Sequence, residues 1–291
     1  MFTRPGFLRR WRMAILVALL PGAAFAAGGE AAQTTAAPAS TLKMAMTLYA
    51  GGIKLGSVDL DAAIRGKQYR AVSNLETAGV VNAFWQSRIQ ATSTGEIGNR
   101  DFQPRLYDSF YVGRANHKQE VSLSYDDSGA IRLYANPPYD IARYPVSAAQ
   151  KKDTFDPLSA IVYVTTGAGA RADAANPCNV TAPVFDGKRR YNIEIKKEKD
   201  TRVEMDNGLY KGTAILCQAR YVQVAGFSQK VLDERDSFPV IHAWIVTFPS
   251  KIPGRNYAVP LRVWADTPYG VVAAVTTALN IDGIDKGKSG G

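Results

Sequence analysis

Cysteine and histidine are nearly absent from this chain: its 291 residues hold Cys178 and Cys217, His117 and His242, and no others of either kind. Neither histidine has a second His, a Cys or a pair of carboxylates at ligand spacing, so a metal centre would have to be assembled from distant elements. A Ser-His-Asp triad also converges from separate elements and is not excluded, but only His117 and His242 could serve it. Cofactor chemistry fares no better. Gly167-Ala168-Gly169-Ala170-Arg171 is the nearest approach to a phosphate loop, yet a helical pattern precedes it where the nucleotide fingerprint needs a strand. The composition therefore points to a non-enzymatic protein without a cofactor or metal. The alternative is a hydrolase or modifying enzyme acting on cell-wall or lipid substrates through a site built across strands.

Long apolar runs are also scarce. Met13 to Leu20 is far shorter than the ~20 residues of a membrane span. It lies between Arg4, Arg9, Arg10 and Arg12 on one side and Ala24-Phe25-Ala26 on the other, the pattern of a secretory signal peptide over residues 1–26. No cysteine follows to take a lipid anchor. A soluble periplasmic protein is expected, and the general secretory route is favoured over twin-arginine export despite Arg9-Arg10. Loss of the signal removes four of 35 basic residues and no acidic ones, leaving 31 against 26, so the net charge falls from +9 to +5. That balance is too mild and too mixed in sign for nucleic acid. In an oxidising compartment Cys178 and Cys217 are expected to form a structural disulfide rather than a redox pair, which would favour Cys-x-x-Cys spacing.

What is abundant is alternation. Residues 27–40 are small and polar and read as a disordered leader. From Thr41 the chain alternates, with Leu42, Met44, Met46 and Leu48 on one face, then turns at Ala50-Gly51-Gly52 and runs on from Ile53 to Ile64. Further strands follow at 68–75, 88–97, 103–112, 117–125 and 131–136. After Gly167 to Ala175, hairpin turns at Asp186-Gly187 and Asn207-Gly208 punctuate more strands up to Ile281. Residues 282–291 read as a disordered tail. Lys188-Arg189-Arg190 with Lys196, Lys197 and Lys199 forms a basic cluster, but strand alternation splits it between faces, favouring a solvated hairpin over an anion site.

Two stretches read as helix. Val80, Val81, Phe84 and Trp85 mark one face of a short helix between Thr77 and Ser87. Phe155 to Val164 is the clearer one: Asp156 can cap the first turn, Pro157 suits the first helical position, and Leu158, Ile161, Val162 and Thr165 make an apolar stripe. Its near-total apolarity predicts a buried connecting helix, a role favoured over a site on Asp156 and Ser159. The expected fold is mainly β: a single domain over residues 41–281, in which one curled or spiral, barrel-like antiparallel sheet of about fourteen strands wraps around a central helix.

Three motifs carry a resemblance. Tyr-x-Gly-Gly-Ile-x-x-Gly (Tyr49 to Gly56), Asp-Pro-Leu-Ser-Ala (Asp156 to Ala160) and Val-Phe-Asp-Gly-Lys-Arg-Arg-Tyr (Val184 to Tyr191) resemble the bacterial envelope family catalogued as domain of unknown function 3108, across nearly the whole mature chain. The resemblance implies a periplasmic protein of Gram-negative bacteria, with a curled sheet similar to those of lipoprotein carriers and envelope-integrity β-spiral proteins. It brings no catalytic residues. The expected role is support of cell-envelope integrity by binding an apolar ligand (lipid or lipoprotein), or a cell-wall or other envelope partner.

Overall fold

A computed structural model of the chain describes residues 39–78, 86–97, 102–166, 177–234, 238–268 and 270–287. Seven strands come first: β1 (Ala39–Ala50), β2 (Ile53–Arg65), β3 (Gln68–Thr77), β4 (Arg88–Ile97), β5 (Phe102–Val112), β6 (Lys118–Tyr125) and β7 (Ile131–Asn136). The short helix α1 (Ala148–Lys151) and the central helix α2 (Pro157–Thr165) follow. The second half comprises β8 (Val180–Phe185), β9 (Arg190–Glu204), β10 (Lys211–Ala225), α3 (Gln229–Asp233), β11 (Ile241–Pro249), β12 (Asn256–Thr267), β13 (Gly270–Ile281) and β14 (Ile284–Asp285).

All fourteen strands join one antiparallel sheet, in the order β7-β6-β5-β4-β3-β2-β1-β13-β12-β11-β10-β9-β8 with β14 on β13. Two meanders, β1 to β7 and β8 to β13, are thus fused through one non-sequential pairing, β1 with β13, running from Leu42↔Ile281 to Ala50↔Val272. The sheet is not closed: β7 and β8 are its free edges. Register shifts in β1, β4, β10 and β11 mark bulges, which add local twist and bend and so curl so wide a sheet.

The alternation seen in the sequence becomes the inner surface. Leu42, Ile64, Ala71 and Leu123 from the first meander and Val259, Leu261 and Ile281 from the second are buried in one core, which also takes Leu158 and Val162 of α2. Burial of each large aliphatic contributes about 1.5–3 kcal/mol. Because α2 lies in the connection between the two edge strands, it packs against β3, β4 and β5 on one side and β8 and β12 on the other.

Edge β8 is covered by the residue before the α2 cap. Phe155 N–H donates to Pro183 O at 2.8 Å and Phe185 N–H to Phe155 O at 2.8 Å, a single parallel bridge that occupies the exposed edge. The two ends of the sheet also meet by packing. Gly187, in the β8–β9 turn at φ +96°, leaves room for β6 and β7: a Cβ there would stand 3.0 Å from Val121 Cγ1 and 3.1 Å from Leu133 Cδ1.

Four expectations change. The tail does not lose structure at Asp282, because its carboxylate accepts from Thr41 N–H at 2.7 Å and Lys251 N–H at 2.6 Å and so anchors β14. Helix α2 is not buried all round: Ile161 is 44% exposed, because the packed face follows Leu158, Val162 and Thr165. Ahead of α2 a Ser147–Gln150 capping box forms α1, a helix beyond the two that the sequence marks. A further helix, α3, starts at Ser228, whose hydroxyl caps Val231 N–H. The helix expected between Thr77 and Ser87 falls mainly on residues 79–85, outside the described residues, and all of Gly167 to Ala175 lies outside them too.

Cys178 and Cys217 are joined by a disulfide with Cα atoms 6.0 Å apart, and both are fully buried against Ala243, Ile245 and Ala258. The bond ties the approach to β8 to the middle of β10, across a sequence separation of 39 residues. Constraining a loop of that length in the unfolded chain stabilises by about 2–4 kcal/mol. Reduction, or Cys178→Ser with Cys217→Ser, is expected to lower the melting temperature by roughly 5–10 °C. An unchanged melting curve would show the bond to be dispensable for folding.

Candidate functional site

The N-terminus of α2 gathers a dense group of buried polar side chains beneath the sheet. Asp156 is the N-cap: its Oδ1 accepts from Leu158 N–H at 3.0 Å and Ser159 N–H at 2.8 Å. These are donors that every helix start leaves unpaired. Its Oδ2 accepts from the Ser159 hydroxyl and lies 3.2 Å from Ser93 Oγ on β4. Ser159 Oγ also lies 2.6 Å from Ser93 Oγ and 2.7 Å from the Tyr69 hydroxyl on β3. Asp156, Ser159 and Ser93 have no exposed surface at all.

Tyr69 reaches the cluster because β4 has a glycine opposite it. Gly95 pairs with Tyr69, and a Cβ on Gly95 would stand 2.6 Å from Tyr69 Cε1 and 2.7 Å from its oxygen. With that space open, the ring lies across β4, stacks on Phe102 at 4.9 Å between centroids, and points its hydroxyl at α2. Phe102 in turn meets Phe155 and Tyr163 edge-on at 5.2 and 5.4 Å. Such pairs add about 0.5–1.5 kcal/mol each beyond the area they bury.

The electrostatics follow from desolvation. Burial pushes the Asp156 carboxyl up from an ordinary 3.8 to about 6, and the hydroxyl and N–H donors pull it part of the way back. Burial also raises the phenols of Tyr69 and Tyr125, with the Asp156 charge adding to the rise, and pushes Tyr107 up to about 12. The Tyr125 hydroxyl has no hydrogen-bond partner among the described residues; the Asp156 backbone N–H acts on it without completing a bond.

Chemically this is a closed donor-acceptor set. Ser159 O–H goes to the carboxylate and Tyr69 O–H to Ser159 Oγ, while Ser93 O–H has both the carboxylate and Ser159 Oγ within reach. No imidazole takes part. His242 lies on β11, stacked on Trp264 at 5.5 Å with Nδ1 3.8 Å from Glu198, and His117 meets Tyr111 at the β5–β6 turn. No cluster of three or more His, Cys, Asp or Glu able to hold a metal occurs among the described residues.

The other residues marked out by the sequence have structural roles. Pro157 occupies the first turn of α2. Asp186 folds the β8–β9 turn by accepting from Lys188 N–H at 2.9 Å and Arg189 N–H at 2.6 Å. The basic cluster disperses: Lys188 lies over Tyr139, Arg189 over Phe227, and Lys197 pairs with Asp200 at 2.9 Å. Ser93, Tyr69 and Gly95 went unmarked in the sequence. A Tyr facing a Gly across neighbouring strands is the signal that carries them, and it appears only once register is known.

An open, strongly curled antiparallel sheet gripping one capped helix defines a class of β-barrel-like proteins. The chain belongs to a family described as "Protein of unknown function (DUF3108)", whose model matches residues 43–276. It is also similar in fold to a β-barrel-like protein of domain of unknown function DUF1849 from Brucella abortus. That match has a TM-score of 0.50 and 13% identity, and covers 84% of this chain and 98% of the other. No curated protein matches the chain.

Asp156→Ala would strand two helix N–H donors and two hydroxyls together and is expected to cost about 3 kcal/mol, more than the ~1 kcal/mol of an exposed cap. The raised carboxyl also fixes a pH dependence. The folded state holds this proton more tightly than the unfolded chain, so folding takes one up between about pH 4 and pH 6. Stability from this group is then greatest below pH 4, falls by about 3 kcal/mol as pH rises to 6, and is level above. The melting temperature of wild type relative to Asp156→Asn should fall across that window; a constant difference would contradict it. Gly95→Ala is expected to displace Tyr69 and cost about 1–3 kcal/mol in denaturant unfolding.

Proposed function

We propose that this chain is a non-catalytic, exported protein of the bacterial envelope that supports envelope integrity by binding a partner through its outer surface. The observation that carries the proposal is the sealing of the Asp156–Ser159–Ser93 group. Its hydroxyls lie alongside a carboxylate, the ingredients of a nucleophile and a base, yet they have no exposed surface and bond to one another. A nucleophile must reach its substrate within about 3 Å, which this packing denies.

Around α2 the inner face of the sheet is occupied by Leu158, Val162 and the aromatic cluster, so recognition falls to the outside. The periplasmic location rests on the Met13 to Leu20 run and the Ala24-Phe25-Ala26 triplet. An apolar contact for a lipid or lipoprotein is available where the β1–β2 and β12–β13 turns are tied by Gly51 N–H to Val271 O at 2.9 Å, beside exposed Ile53 and Val272.

The test is complementation. In a strain lacking this protein, Ser159→Ala and Ser93→Ala are expected to restore detergent resistance to the wild-type level, with protein abundance in the periplasmic fraction checked by immunoblot. Failure by a variant with normal abundance and melting temperature would mean that these hydroxyls do chemistry, and the enzyme alternative would take over.

A further inference from the structure

On the face of the first meander that points away from α2, strand register builds two adjacent rows of side chains. Thr92, Asp108, Ser122 and Tyr134 face one another in sequence across β4 to β7. Beside them Asn74, Gln90, Phe110 and Glu120 do the same across β3 to β6. Side chains of these rows line a groove of about 540 Å³. Five strands at about 4.8 Å spacing give it a width of about 19 Å, room for a few linked sugar rings.

The chemistry of the groove is unlike that of the chain as a whole. Lys and Arg outnumber Asp and Glu by nine in the full sequence, yet none lines the groove, whereas Asp108 and Glu120 do. Neither carboxylate forms an ion pair among the described residues. A phosphate-bearing lipid or polymer would meet two carboxylates on the groove floor, the basic side chains of this face, Arg70, Arg132, Arg88 and Lys118, standing in the flanking rows. Tyr134, 57% exposed, and Phe110 offer rings to stack on an apolar surface. Next to Phe110, on β4 and β3, the Gln90 amide donates to Asn74 Oδ1 at 3.3 Å, which leaves the Gln90 carbonyl and the Asn74 NH₂ with hydrogen-bonding capacity for a ligand. Planar amides and carboxylates in the same rows as two aromatic rings match a ligand that presents hydroxyl edges and C–H faces together, as pyranose rings do.

We propose that this groove binds a neutral or amine-bearing oligosaccharide strand. The assignment rests on the outer-surface role proposed above and names its ligand class. It is tested by titrating the full exported chain with a tetramer of N-acetylglucosamine, a tetramer of glucosamine, and an anionic galacturonate oligomer. Binding of one or both tetramers and not of the anionic oligomer is expected. Tyr134→Ala should weaken the binding about five- to tenfold, from loss of a stacking contact, without shifting the melting temperature. Asp108→Asn with Glu120→Gln should weaken glucosamine binding and spare the N-acetylated tetramer. Binding of neither tetramer, preference for the anionic oligomer, or affinity unchanged in Tyr134→Ala would each overturn the assignment. If neither tetramer binds but Tyr134→Ala fails to restore detergent resistance, the glycan assignment falls while the outer-surface role stands.

Discussion

A carboxylate with no solvent contact, held in the middle of a β-protein, is the constraint on which the rest of this structure depends. Asp156 is tolerable there only because donors converge on it from two elements at once, the first turn of α2 and Ser93 of β4, with Tyr69 of β3 completing the set through Ser159. Remove the sheet and the helix has a solvated cap on a chain of nine residues, too short to persist alone. Remove the helix and the inner faces of β3, β4 and β5 lose their cover. Helix and sheet therefore depend on each other through one side chain.

An open sheet this wide must also manage two edges, and the same connection does so. On leaving β7 the chain crosses to β8, and Phe155, one residue before the cap, occupies the β8 edge with paired backbone bonds. The β8–β9 turn returns to pack on β6 and β7, which is possible because Gly187 has no side chain to meet Val121 and Leu133. The disulfide acts on the same region from the other direction, fixing the approach to β8 onto β10. Cap, edge bridge and disulfide all stabilise the seam that hydrogen bonding leaves open.

Much of this architecture is legible in the sequence because its causes are local. Alternation such as Leu42-Met44-Met46 reports a half-buried strand, Asn207-Gly208 reports a tight turn, and Asp156-Pro157 reports a helix start. The partners of that start are not local: Ser93 and Tyr69 stand 63 and 90 residues from the groups they bond. The outer groove is hidden for the same reason, since Tyr134 and Asp108 share a row only after the registers of β5, β6 and β7 are added together. The order of residues 282–287 is not legible locally, because it depends on Asp282 accepting from the Thr41 N–H, 241 residues away along the chain. Local polarity says disorder; a distant backbone donor decides otherwise.

The polar groups beneath the sheet hold α2, and we propose that those of the outer face meet a ligand, which gives the two faces separate duties. The most direct test of that division is native-state hydrogen exchange at the Leu158 and Ser159 amides. If the cluster is a permanent structural lock, both should exchange only through global unfolding, as slowly as the core amides of β3 and β4. Exchange through a local opening orders of magnitude faster than those strands would show that α2 lifts away from the sheet, and that the serines and carboxylate beneath it are presented to solvent as a working site.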